Sequence, residues 1–492
     1  MLGRIALTLA LAAGPAAAQE VFTKQYEGGG VYEGTFRDGV QHGTGTYTLP
    51  SGYSYTGEWA MGEIRGQGRA RFADGSIYEG AFAAGQPEGL GTITFADGGT
   101  YTGDWVAGRI EGQGVAEYAD GTRYEGGFRD AKHHGSGVLE RADGYRYEGG
   151  WADGVKAGTG RIAYPDGSTY EGDMADNLRH GEGVLTTPDG LTYAGAWTEG
   201  AITGRGVLTQ PGGEVYEGDL VDGRREGEGL VRYANGDVYE GGFLADRRHG
   251  TGTFRGTDGY EYVGEWSEGR IEGQGRVAYP DGSVYEGAFA DDLAHGEGRI
   301  VYADGATYEG GWRAGVIHGE GRAEYPNGLV YEGGFENARN HGFGTMTFTD
   351  GYRYEGEWRD GLRHGQGRAS YADGTVYEGG FVEGQREGTG RIEMADGFRY
   401  EGGWTDGEID GEGVATYANG DVYTGRFVAG AREGPGVMRY ATGQVESGRW
   451  EDGALAELGP VEADGADGAD ETDGAGATGD GGEDAAPEAG AD

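Results

Sequence analysis

The chain is 492 residues long and carries 84 Asp and Glu against 39 Lys and Arg, a formal net charge of −45, with no cysteine. That charge excludes nucleic acid as a partner and disfavours anionic membrane binding, since both surfaces are held through clustered basic side chains; without thiols there is no disulfide framework. The 111 glycines would suit a disordered chain, but 33 tyrosines, 15 phenylalanines and 9 tryptophans would not, because disordered sequences are poor in aromatics.

Residues 1–18 read as a secretory signal. Arg4 supplies the positive charge, Ile5 to Ala13 the apolar run, and Ala16-Ala17-Ala18 a small-residue cleavage site. The run is too short to span a bilayer, so the expectation is an exported protein, periplasmic or extracellular.

A repeat array occupies residues 21–456. Tyr-Glu-Gly recurs every 23 residues from Tyr32, without insertion or deletion, and a nineteenth copy has Glu446 in place of the tyrosine. A fixed period of this length marks stacked units that fold on one another. Counting from the anchor tyrosine as zero, positions 0, +2 and +4 carry Tyr, Gly and an aromatic, as in Tyr354, Gly356 and Trp358, while Glu355 holds +1. That is the period-two alternation of a strand. Asp360-Gly361 then marks a loop, and a second alternating run carries Gly365 and Gly367 at +11 and +13 before another turn at Asp373-Gly374. Asp-Gly between alternating runs signals a hairpin whose tight turn needs positive φ.

The predicted fold is all-β: an elongated, twisted, single-layer antiparallel meander of about nineteen hairpins, each a 23-residue repeat. The residues expected to carry it are Tyr55, Gly57, Trp59, Tyr101, Trp105, Tyr262, Trp266, Tyr308, Trp312, Tyr354, Gly356, Trp358, Gly365, Gly367, Tyr400 and Trp404. Glycines at +2, +11 and +13 share the aromatic face and should leave bare backbone for the rings to cover. All nine tryptophans hold +4 and fall mostly in every second repeat. Position +15 answers with the opposite size, Ala70 beside Trp59 and Ile93 beside Phe82. Large against small keeps a layer's volume constant, so +4 and +15 are expected to touch. Met174 and Leu220 interrupt the alternation, which predicts altered twist or looser packing over 170–245. Glu446 gives the last copy the polar edge of a cap. Residues 459–492, rich in Asp, Glu, Gly and Ala and without an aromatic, read as a disordered acidic tail.

The run from Tyr354 to Gly367 resembles the MORN motif (membrane occupation and recognition nexus), close to Tyr-Glu-Gly-x-Trp-x-x-Gly-x-x-His-Gly-x-Gly, at every specified position. The resemblance covers most of the chain. It implies a twisted antiparallel sheet and a role in scaffolding, dimerisation or attachment near membranes. In plants such repeats precede a phosphatidylinositol-phosphate kinase domain, but these 492 residues leave no segment in which a kinase would fold.

Eight histidines, among them His295, His318, His341 and His364 in adjacent copies, hold position +10. Strand repeats space them roughly 10 Å apart, too far to converge on one metal, and a structural turn histidine is the expectation. The Asp-Gly turns offer hard oxygen ligands compatible with weak divalent-cation binding, yet one acid per turn is what a hairpin needs anyway. Arg69, Arg161, Arg276, Arg322, Arg368 and Arg391 at +14 are placed to offset the glutamates at +1 across strands. No catalytic constellation breaks the repeat, and neither a catalytic site nor a cofactor site is expected. The leading functional reading is a non-catalytic exported scaffold or adaptor whose repeat surface binds protein. The alternative is a glycan or cell-envelope binding module with sugars stacked on exposed tyrosines. Strand edges or the surface offer a route to a homodimer.

Overall fold

The computed structural model describes residues 20–459, so the expected secretory signal and all of the acidic tail but Gly459 lie outside the described residues. Packing divides the chain into two units, 1–316 and 317–492. In each, the described secondary structure is antiparallel strand joined by tight turns. A repeat gives one seven-residue strand, such as Arg353–Arg359, and one nine-residue strand, such as Leu362–Ser370. Each pairs with its sequence neighbours, which is the meander the alternation predicts.

The two turns of a repeat differ. At +6 and +7 both residues are left-handed, as Asp360 (φ 48°) and Gly361 (φ 85°) show. This two-residue turn matches the right-handed twist of the strands it joins. Five copies place a residue other than glycine at +7, among them Ala338 at φ 60°. A side chain there costs about 1–2 kcal/mol; glycine recovers part of that, less its own entropy in the unfolded chain. Ala338→Gly is expected to stabilise the array by about 1 kcal/mol, read as a rise in the thermal midpoint.

The second Asp-Gly corrects the expectation of a tight positive-φ turn. Only its glycine is left-handed, Gly374 at φ 93°. Gly374 N–H donates to Tyr371 O at 3.0 Å and Tyr371 N–H to Thr375 O at 2.8 Å, closing a longer loop. Asp373 serves through its side chain instead, Oδ1 accepting from Thr375 N–H at 2.8 Å. These hydrogen bonds hold its carboxyl below the usual carboxylate range.

A bulge recurs in the hairpins within each unit. Gly356 pairs with Gly367, and the next pair is Trp358 with Arg363, so three residues of the longer strand stand against one of the shorter. Gly365 lies inside it at φ 64°. The +11 glycine is therefore required by backbone conformation and does not lie under a ring, as the sequence had suggested.

The other two glycines do lie under rings. A Cβ on Gly367 would sit 2.4 Å from the Tyr354 hydroxyl oxygen, and one on Gly356 would meet Gly367 Cα at 2.5 Å and that hydroxyl at 2.6 Å. Each anchor lays its phenol flat over two bare glycines and is almost fully buried; Tyr354 and Tyr400 are 0 % exposed.

Register also corrects the expected +4/+15 contact. Ala369 stands opposite Tyr354 and Tyr377, whereas Trp358 stands opposite Arg363 and Gly342. Position +15 thus sits between two anchors. Tyr78 is flanked by Ala70 and Ile93, and Tyr101 by Ile93 and Ala116. Where the sizes alternate, each tyrosine is seated between one small and one large residue; from Tyr147 to Tyr285 both neighbours are large, as Leu185 and Leu208 beside Tyr193 show.

The stretch 170–245 keeps the standard register, and Met174 and Leu220 are as buried as the rings they replace. The predicted loosening is absent. An unbranched or γ-branched chain fills the slot while the ring contacts lapse.

Candidate functional site

Each unit presents two unlike faces. On one, the anchor tyrosines and the +4 aromatics interlock edge to face. Tyr55 meets Trp59 of its own repeat at 5.5 Å and Phe82 of the next at 4.9 Å; Tyr354 meets Trp358 at 5.1 Å and Phe381 at 5.1 Å. Such geometry adds about 0.5–1.5 kcal/mol per pair beyond burial.

Both polar ends of these rings are satisfied. The anchor hydroxyl donates to the +3 carbonyl of its own strand: Tyr55 to Glu58 at 3.0 Å, Tyr101 to Asp104 at 3.1 Å, Tyr262 to Glu265 at 2.8 Å, Tyr308 to Gly311 and Tyr400 to Gly403 at 3.0 Å. Tryptophan Nε1 reaches back to the +13 carbonyl of the preceding repeat. Trp59, Trp105 and Trp312 do so at 3.2 Å, Trp266 at 3.4 Å, and Trp358 and Trp404 at 3.1 Å. Burial pushes the phenol pKa up, to about 12 for Tyr78, Tyr285 and Tyr400. The residues singled out from the sequence, Gly365 apart, thus form a continuous buried layer within each unit.

Sequence reasoning missed a second link between repeats. Position +9 carries Arg179, Arg225, Arg248, Arg363, Arg386 and Arg432, with Lys156 in one copy. Arg248 lies 3.9 Å from the ring centre of Trp266 and donates to Gly269 O at 2.9 Å; Arg179 does the same to Trp197 at 4.1 Å and Gly200 O at 2.9 Å. A guanidinium suits this position because it stacks and donates at once. The signal was present as a column of cations on the aromatic face. In one repeat His133 takes the place, stacked on Tyr124 at 3.6 Å, and burial drives its pKa down to about 4.

The histidines at +10 belong to a third link. Two of them take a turn N–H of the next repeat on Nδ1, His42 from Met61 and His295 from Ala314, both at 3.4 Å, whereas the buried Nδ1 of His134, His249 and His341 has no hydrogen-bond partner among the described residues. Glutamate does the same elsewhere, Glu88 accepting from Ala107 at 2.8 Å and Glu226 from Ala245 at 2.9 Å. Any side chain with an acceptor at that reach will serve, which is why His, Glu and Asp interchange there. Among the described residues no group of three or more His, Asp or Glu is placed to hold a metal ion.

In the last repeat, Glu446 accepts from the Tyr440 hydroxyl at 2.7 Å and from Gln444 at 2.9 Å. A cavity of about 910 Å³ opens beside it, lined by Phe398, Tyr417, Met438 and Trp450.

The opposite face is open and carries +1, +3, +12 and +14. Arg69 pairs with Glu79 at 2.8 Å, Arg322 with Glu332 at 3.2 Å and Arg368 with Glu378 at 2.9 Å, each joining one repeat to the next. All are solvent-exposed, so each contributes at most about 1 kcal/mol. Arg161, Arg276 and Arg391 hold the same position in the row. Cavities of about 750, 1170 and 490 Å³ open on this face within residues 1–316, so it is grooved there.

The likenesses to solved structures are weak, as three of them show. The SAS-4 (dCPAP) TCP domain of Drosophila melanogaster, in complex with a proline-rich motif of Ana2, is 16% identical over 43% of this chain and 97% of its own, with a TM-score of 0.20. The TCP10 domain of Danio rerio CPAP, in complex with a peptide of STIL, is 14% identical over 63% and 97%, with a TM-score of 0.13. Virginiamycin B lyase from Staphylococcus aureus is 11% identical over 59% and 83%, with a TM-score of 0.10. Nothing is transferred from any of them. No curated protein matches the chain. The family profile described as MORN repeat, by contrast, matches eighteen consecutive segments, the first at 32–52 and the last at 423–445. With the anchor tyrosine, the paired glycines and the +4 aromatic repeating at that spacing, the chain belongs to the MORN repeat family.

Proposed function

We propose that this protein is a non-catalytic, exported scaffold or adaptor that binds protein through the open face of its repeats. The observation that carries this reading is the division of labour between the faces. One is consumed by packing; the other leaves a patterned row of charge and aliphatic groups in solvent. Family membership supports interaction with proteins or membranes rather than chemistry, and the acidic charge favours protein over an anionic bilayer.

Crosslinking in the native cell envelope should recover the same protein partner in independent preparations. Failure to recover any would count heavily against the scaffold. Cell fractionation checks export separately, and a cytoplasmic protein with residues 1–18 still attached would remove it.

Glycan binding has one observation in its favour. The anchors offer no ring face to a sugar, but rings at +17 and +21 are partly exposed and adjoin one another, Tyr352 to Tyr371 at 5.0 Å and Phe398 to Tyr417 at 5.6 Å. Saturation-transfer signals from envelope oligosaccharides to these rings would favour that second reading.

A further inference from the structure

We infer that the open face of five consecutive strands, Thr169–Ala175, Leu178–Thr186, Thr192–Thr198, Ala201–Thr209 and Val215–Val221, is a docking groove for an extended cationic segment of a partner protein, one that alternates Lys or Arg with aliphatic residues. This names the partner class for the scaffold reading and rests on it. Elsewhere the row of +14 and +1 residues mixes arginine, threonine and glutamate with isolated aliphatics such as Val115, Val138, Leu230 and Val263. Only here are three successive members all aliphatic: Val184 opposite Ala194, and Ala194 opposite Val207. Nothing in the fold requires this, because Arg and Glu occupy the same positions in neighbouring repeats.

Uncharged residues continue from this row across the rest of the face. Toward the tight turns the same strands carry Ala175, Leu178, Thr198, Ala201 and Val221, uncharged residues of a kind that several other repeats also place there. Leu178, Val184, Val207 and Val221 are 38–46 % exposed, high for aliphatic side chains on a regular sheet. The cavity of about 1170 Å³ opens on the same patch, lined by Glu148, Arg161, Glu171, Asp173, Val184 and Ala194. On the reverse of these strands Met174 and Leu220 replace aromatics, so both faces leave the repeat's pattern together.

Charge selects the occupant. Glu171, Asp173, Glu182, Glu217 and Asp219 share the face and outnumber the cations beside them, Arg205, held loosely 3.8 Å from Glu217, and Arg161, opposite Glu171 on the neighbouring strand. A neutral or acidic partner would bury unpaired carboxylates, which is costly. A strand-like segment with alternate cations meets them while its aliphatic residues cover the valines.

The test uses the full chain and a short fluorescent peptide alternating Lys and Val, with Lys-Ser and Glu-Val peptides as controls, read by anisotropy. The variant Val184→Arg/Val207→Arg restores the residue found at Arg69, Arg322 and Arg368, so it should fold, as circular dichroism will check. Binding of the Lys-Val peptide is expected to weaken at least tenfold in the variant, and the Lys-Ser peptide to bind wild type at least tenfold more weakly. Equal binding to both proteins would overturn the assignment. So would equal affinity for Lys-Ser, tighter binding of Glu-Val, or a wild-type self-association that the variant loses. A crosslinked partner that the variant still captures would sink this groove and leave the scaffold standing. Specific peptide binding with no partner in the envelope would do the reverse.

Discussion

Gly367→Ala is expected to cost about 3 kcal/mol, at the upper end for a forced overpacking, whereas Gly361→Ala should cost about 1 kcal/mol. Both add one methyl group to a glycine of the same repeat. At Gly361 the new Cβ meets nothing within 4 Å, and the cost is that of a left-handed backbone. At Gly367 it would lie 2.4 Å from the Tyr354 hydroxyl and 2.6 Å from the ring, which rests against that glycine. The ring must lift, breaking its edge contacts with Trp358 and Phe381. Because repeats support one another, damage should spread to the neighbours first. Hydrogen exchange should therefore show lost protection centred on Arg353–Ser370 and fading to either side. A double-mutant cycle with Tyr354→Ala isolates the cause. If Gly367→Ala costs as much without the ring as with it, the seat is not what the glycine provides.

The second large effect is alkaline unfolding. Burial raises the anchor phenols above the free tyrosine value, to about 12 for Tyr147, Tyr170, Tyr216, Tyr377 and Tyr423. A group whose folded pKa is raised binds its proton more tightly in the native state. Its contribution is complete below the unfolded pKa of about 10 and is lost as pH climbs through the folded value. The anchors' contribution should thus be level below pH 10 and fall steeply between pH 10 and 12, with many of them acting in one direction. Tyrosinate absorbance and sheet circular dichroism should change together. Tyrosinate forming fully while the sheet stays intact would show that the anchors are not sealed.

Much of this was legible in the sequence, because repetition displays the same local rule many times. The anchor, the +4 aromatic and the hairpin turns follow from period-two alternation and turn chemistry. What escaped depended on register. Register puts +15 across from the anchor, the bulge puts +9 rather than +11 across from Trp358, and no spacing rule announces a bulge whose glycine looks like its neighbours. For the same reason Gly365 was grouped with Gly367, although one answers to φ and the other to a ring. The arginines at +9 were overlooked because cations on a strand read as solvent-facing, and here they lie against tryptophan. The aliphatic patch around Val184 stood out only once the face it occupies was known.

The links between repeats span fixed offsets: 14 residues from Trp358 back to Gly344, 19 from Glu88 to Ala107, and 21 from Arg248 to Gly269. A gene that gains or loses whole 23-residue copies therefore leaves every such link intact, so the reach of the molecule can be reset by duplication without redesigning a core. Where the alternation is strict, as from Trp312 to Trp404, removing the copy between two tryptophans makes them consecutive and leaves a tyrosine between two alanines, whereas removing two copies does neither. Paired copies are the step in which this chain can most cheaply change its length.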